Sequence, residues 1–251
     1  MLALVDGPSI NVEFDFAFYY RERRDPDRES KLLYQWHQLL WGRDVPGVGP
    51  FRIEVEWAGG YGLRLHDSSG SDFRLGSDAM VPTWSSLGWA RRFDPALVEE
   101  IASDHGEFFR LSSTIGGYIV LPRNSAGQTG QTLNQARGIS RAIADRFDLT
   151  LECIRRYYQE PDRLNPLSEP LKRYGDFFNL FGTFETYVRF FLLEDIVTPD
   201  RSGVRSLMPG FETASLDAPG LPESPAHYRE YRSRGIAFLT ARNARIRRIA
   251  L

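Results

Sequence analysis

The chain has 251 residues and a formal net charge of −2. It is long enough for a large hydrophobic core and too close to neutral for any global attraction to nucleic acid or anionic lipid. Its one cysteine, Cys153, excludes an intrachain disulfide framework and a cysteine-built zinc cage, and points to a reducing, cytoplasmic setting. No secretory signal is expected, because the first apolar run stops at Asp6 with no basic segment before it. Arg189, Glu194 and Asp195 interrupt the longest apolar stretch, so no membrane span is expected either.

In chain order, Val12, Phe14, Phe16 and Phe18 alternate with Asn11, Glu13, Asp15 and Ala17, the period of a half-buried strand. Asp25-Pro26 supplies a helix cap, and Leu32, Leu33, Trp36, Leu39 and Leu40 follow at helical spacing until Gly42. Alternation over Phe51 to Trp57, again over Tyr61 to Leu65, and a third short run at Phe73 to Leu75 predict a three-stranded antiparallel meander joined by the turns AGGYG and DSSGSD. Ser77 to Arg92 reads as loop with a short helix. Asp94-Pro95 caps a helix through Ser103, after which GEFFRL and TIGGYIVLP read as two more strands.

Beyond the polar loop NSAGQTGQT the signal turns helical: Leu133 to about Gln159, Leu167 to about Leu180, Phe184 to about Asp195, and Ser224 to about Ile249. Pro166, Pro170, Gly182 and the Pro/Gly/Ser-rich stretch from Pro199 to Pro225 separate these segments. Strands first and helices later predict an α+β fold, with an antiparallel-rich sheet from the N-terminal half packed against a helical C-terminal half. One domain over 1–251 is expected, strand-rich to 125 and helical from 126, with the only plausible boundary near Ala126.

Motifs for familiar chemistries are missing. With two lysines, Lys31 and Lys172, the chain builds no Walker-type loop, and neither GxGxxG nor GxSxG occurs. His37, His66, His105 and His227 form no metal-binding pair, and none has an arginine at the upstream spacing of bundle ribonucleases. No cofactor is indicated. The other 29 basic residues are arginines, suited to bidentate recognition of phosphate or carboxylate, although a GC-rich coding bias yields the same composition.

Two arginine clusters carry the candidate chemistry. On a continuous helix, Arg137, Arg141, Asp145, Asp148, Glu152, Arg155 and Arg156 follow at steps of three or four and share a face. That ridge is either a ladder of ion pairs or, with Asn134, the Asn124 loop and the paired Gly116 and Gly117, one wall of a phosphate site. The second cluster is the terminal helix, where Arg229, Arg232, Arg234, Arg242, Arg245, Arg247 and Arg248 face one internal carboxylate, Glu230. It either docks on the protein's own acidic surface, including Glu194 and Asp195, or contacts nucleic acid or an acidic partner through Arg242, Arg245 and Arg248. The aromatic-rich segment 177–193 reads as core.

YQWHQLLWGR, TIGGYIVLP, NQARGISRAIADRFDLTLECIRRYYQ and FGTFETYVRFFLLEDIV resemble segments of a bacterial family classed only as a domain of unknown function. The resemblance covers nearly the whole chain and implies a bacterial, single-domain protein. It brings no activity and no catalytic residues. Three expectations stand: a binding or regulatory protein that engages a phosphate-bearing ligand, nucleotide or nucleic acid, through an arginine-rich face; a metal-assisted phosphoryl hydrolase using Asp145, Asp148 or Glu152 with Arg137 and Arg141; or a structural or interaction protein.

Overall fold

The structure, a computed structural model, describes residues 10–22, 24–49, 51–57, 61–66, 72–104, 106–125, 127–209, 216 and 220–250. The proposed boundary at Ala126, and the greater part of both meander turns, lie outside the described residues.

The N-terminal alternation does not form a strand. Val12 and Phe16 are both buried, four apart, while Phe18 is largely exposed, so the same residues satisfy a helical period as well as a period of two. The chain turns at Asn11, Asp15 accepts from the Ala17 N–H at 2.8 Å, and helix α1 (Ala17–Arg21) follows. Phe16 packs edge-on against Tyr118, and its N–H donates to the Ser113 carbonyl at 2.8 Å. Two helices replace the next expected one: α2 (Pro26–Glu29) and α3 (Lys31–Trp41), divided at Ser30, whose hydroxyl accepts from the Leu33 N–H at 3.2 Å.

The sheet is the expected antiparallel meander with one addition. Strands β1 (Arg52–Trp57), β2 (Tyr61–His66), β3 (Asp72–Ala79) and β4 (Tyr118–Pro122) lie in the order β1-β2-β3-β4. Ile53 stands opposite Leu65, and Leu63 opposite Leu75, with all four buried on one face. β3 runs to Ala79, into the stretch expected to be loop, and α4 (Leu87–Ala90) is the short helix beyond it. Asp94 caps α5 (Pro95–Ser103) as expected, accepting from the Leu97 N–H at 2.9 Å.

GEFFRL is helical: in α6 (Glu107–Ser112), Phe108, Leu111 and Ser112 turn inward at steps of three and four. A 3-10 turn over Ile115–Gly117 then leads into β4. Both glycines are there for close approach. A Cβ on Gly117 would meet the Ser112 carbonyl oxygen at 2.1 Å, and one on Gly116 would meet Asn243 Oδ1 at 2.3 Å.

The expected helix over 133–159 is two helices, α7 (Leu133–Ile139) and α8 (Phe147–Gln159), split by a turn at 140–146. Within it Ala144 and Asp145 adopt φ values of 49° and 65°, a conformation L-residues rarely take. Long-range bonds hold the turn: Trp84 Nε1 donates to the Ala144 carbonyl at 3.1 Å, and the Phe147 N–H donates to the Met80 carbonyl at 3.0 Å. Short helices α9 (Ser168–Arg173), α10 (Gly175–Asn179) and α11 (Phe184–Phe190) follow, then a 3-10 turn over Glu194–Ile196. Phe177, Phe178, Phe181, Phe184, Tyr187, Phe190 and Phe191 are all buried, so this aromatic block is core.

The terminal helix α12 (Pro225–Ala250) packs on α6, where Gly235 admits the Phe108 ring, and on the 3-10 turn over Ile115–Gly117. The fold is therefore α+β, an antiparallel N-terminal sheet with a helical C-terminal half. No helix among the described residues is long and apolar enough to cross a membrane.

Candidate functional site

The break at 140–146 dissolves the single charged ridge into separate clusters. Arg137 is fully buried at the end of α7 and reaches the end of β3, where Asp78 and Ala79 pair with Ile119 and Tyr118 of β4. Its guanidinium donates to Thr150 Oγ1 at 2.9 Å, to the Ala79 carbonyl at 3.1 Å, to the Asp145 carbonyl at 2.7 Å and to the Asp78 carboxylate. The Asp145 carboxylate is 3.6 Å away. Asn134 lies close enough to Asp78 to favour its ionised form. Thus Arg137, Asp145 and Asn134 do come together, around a residue the sequence reading did not single out.

Asp78 and Asp145 retain partial exposure, 19% and 24% of the side chain. Burial pushes Asp145 up to about 7, with Arg137 opposing and the neighbouring Asp78 adding to the rise. Burial raises Asp78 as well, against the pull of Arg137. Arg137 serves both carboxylates and Arg123 adds a pull on Asp78, but burial and the closeness of the two acids outweigh them, so the pair resists full ionisation.

The other expected carboxylates are consumed internally. Asp148 is fully buried, paired with Arg146 and accepting from the Leu207 N–H at 2.8 Å. Glu152 accepts from Arg155 twice at 2.8 Å and from Arg156 at 2.9 Å. No group of three potential metal ligands occurs among the described residues. Arg141 is exposed. Asn124 closes its own loop, donating to the Gly130 carbonyl at 2.9 Å and accepting from Tyr174, while Gly116 donates its N–H to Asn243 at 2.9 Å.

The terminal helix spends most of its charge on the protein itself. Arg242, expected at a surface, is 1% exposed and donates to the carbonyls of Gly116, Tyr118 and Phe191 at 2.6–3.3 Å. With no carboxylate in contact, burial pulls its guanidinium down to about 9. Arg245 pairs with Asp195 at 3.0 Å and Glu194 at 3.3 Å, Arg229 with Glu100 at 2.8 Å, and Arg247 with Glu13 at 2.6 Å. Arg248 is exposed.

A cavity of about 790 Å³ opens between α8, the 194–196 turn, the 202–207 segment and α12, within the size range of small-molecule sites. Its basic side chains are Arg155, Arg205 and Arg234. Arg155 is committed to Glu152, Gln159 and Glu160, and Arg234 to Glu230 and the Ser206 carbonyl. Arg205 is exposed and makes no ion pair among the described residues. The wall behind it is fixed from α8: Arg146 donates to Ser206 Oγ at 3.2 Å, while Asp148 holds the Leu207 N–H.

Sequence reasoning missed both Asp78, in a stretch without clear periodicity, and the 202–207 wall, which lies in a stretch read as a separator. A usable signal was there in the valines: Val197 and Val204 bridge antiparallel across Thr198 to Gly203.

A protein-family model, described as a family of unknown function (DUF6994), matches residues 10–246. No curated protein and no solved structure matches the chain.

Proposed function

Because the chain belongs to this family of unknown function, which supplies no activity to carry over, we propose a function from the cleft: a binding protein that takes a phosphate-bearing ligand, with Arg205 as its counter-charge. The observation that carries the reading is an open cavity of about 790 Å³ lined in part by Arg205, an exposed arginine that makes no ion pair among the described residues. Arginine suits a phosphate because its planar fork donates two parallel hydrogen bonds. A small ligand has more support than nucleic acid, since the terminal helix gives its arginines to Glu100, Glu194, Asp195 and Glu13. The setting of this reading is a reducing one such as the cytoplasm, on the single cysteine, Cys153, whose thiol is buried.

Metal-assisted hydrolysis draws less support, because Asp148 and Glu152 have already given their oxygens to arginines. Calorimetric titration with inorganic phosphate, phosphomonoesters and nucleotides tests the proposal. A phosphomonoester should bind saturably, and Arg205→Ala should weaken it roughly tenfold or more, the value of a charge-assisted hydrogen bond at about 1.5–3 kcal/mol. If no phosphate compound binds, or if Arg205→Ala binds as well as wild type, the proposal fails. Phosphate release with Mg²⁺ in the same samples would favour the hydrolase instead.

A further inference from the structure

The cleft's remaining surface specifies more than an anion. Along α12, Arg234, Ala237, Phe238 and Ala241 line it at steps of three and four, so they share one face. From Arg234 to Ala241 that face runs roughly 10 Å at 1.5 Å per residue. Ala237 and Ala241 leave the space open that larger side chains would fill, and Ile196, Val204 and Leu207 form the opposing apolar wall. Charges that would hold a second phosphate or a polar base are already engaged: Arg155 by Glu152 and Glu160, Arg234 by Glu230, and Asp195 by Arg245. One available cation beside an extended apolar face matches one anionic head on an apolar body.

We infer that the ligand of this cleft is an amphiphilic phosphate monoester, its head at Arg205 and its hydrocarbon body against Ala237, Phe238 and Ala241. The inference rests on the phosphate reading above and adds the ligand class. An alkyl phosphate reaches such a site either as a free small molecule or as the head of a lipid, and the two sources share this chemistry.

The experiment is a calorimetric series of methyl, butyl, hexyl and octyl phosphate, kept below their aggregation limits, with 1-octanol as the neutral comparison. Affinity should rise about two- to fourfold per methylene as each is removed from water. Ala237→Leu and Ala241→Leu, made separately, should weaken octyl phosphate tenfold or more and leave methyl phosphate unchanged. Ala237 is exposed, so that variant is expected to fold. Affinity independent of chain length overturns the amphiphile and leaves the phosphate reading intact. Equal binding of 1-octanol and octyl phosphate overturns the phosphate reading and leaves an apolar site, and no binding of any member overturns both. Co-sedimentation with phosphatidic acid vesicles, added to octyl phosphate binding, identifies a lipid source, and octyl phosphate binding without it identifies a free ligand. Vesicle binding without octyl phosphate binding overturns the inference.

Discussion

Replacing Arg242 by alanine should be one of the most damaging single changes in this chain, although the residue stands in a helix whose arginines otherwise look like surface charge. Its guanidinium joins three elements, donating to Gly116 and Tyr118 at 2.6 and 2.8 Å and to Phe191 at 3.1 and 3.3 Å. Truncation leaves buried carbonyls without these donors, at about 1–3 kcal/mol for each left unsatisfied, and opens a cavity where the side chain was. Against this, it removes a charge whose burial is unfavourable, as the fall of its pKa to about 9 indicates. We expect a net loss of about 3–5 kcal/mol, the scale of breaking a buried charged network. For a chain of this size that is a fall in Tm of roughly 10 °C. Arg242→Lys, which keeps the charge but loses the planar fork, should fall between the two. Arg248→Ala, an exposed position on the same helix, should stay within about 0.5 kcal/mol of wild type. Urea unfolding followed by tryptophan fluorescence, with a thermal melt beside it, measures all three. If Arg242→Ala proves as harmless as Arg248→Ala, the burial of this guanidinium and the reasoning built on it are wrong.

Asp145 makes a prediction with a definite sign. Its folded pKa of about 7 lies above the unfolded value near 4, so the folded state binds more protons between these limits and stability falls as pH rises from about 4 to 7, then levels. Asp145→Asn should flatten the part of that slope that Asp145 contributes, leaving that of Asp78, and gain stability over wild type at pH 8 relative to pH 4 by up to about 1.4 kcal/mol for each unit of the rise, since asparagine tolerates the left-handed backbone and adds no charge beside Asp78; parallel stability curves for the two proteins between pH 4 and 8 would refute this. Gly117→Ala should cost about 1–3 kcal/mol, because the added Cβ meets backbone, the Ser112 carbonyl, rather than a movable side chain, and a Tm unchanged from wild type would contradict it.

Signals confined to neighbouring residues were readable from the sequence. Alternation gave away β1 and β2, Asp94-Pro95 placed the start of α5, and the long arginine-rich run became α12 within a residue of its expected ends. Where one stretch satisfied two periods, as in 12–18 and 107–112, packing chose: Phe16 is held by Ser113 and Tyr118, and Phe108 lies against Tyr228 and Tyr231.

The charged ridge shows the limit most clearly. Residues 133–159 carry helical spacing throughout, yet Trp84, Met80 and Asp78 bind the 137–147 stretch from the other side of the sequence gap and stop the helix at 139. The same distinction governs the arginines. Their number and density are properties of the sequence, and pairs such as Arg155 with Glu152 or Arg234 with Glu230 are local, but on the terminal helix Arg245 and Arg247 meet carboxylates 50 and 234 residues away, Asp195 and Glu13. A buried or paired guanidinium and a free one such as Arg205 have the same local sequence signature, because what separates them is the desolvation and charge that only the folded chain brings to each.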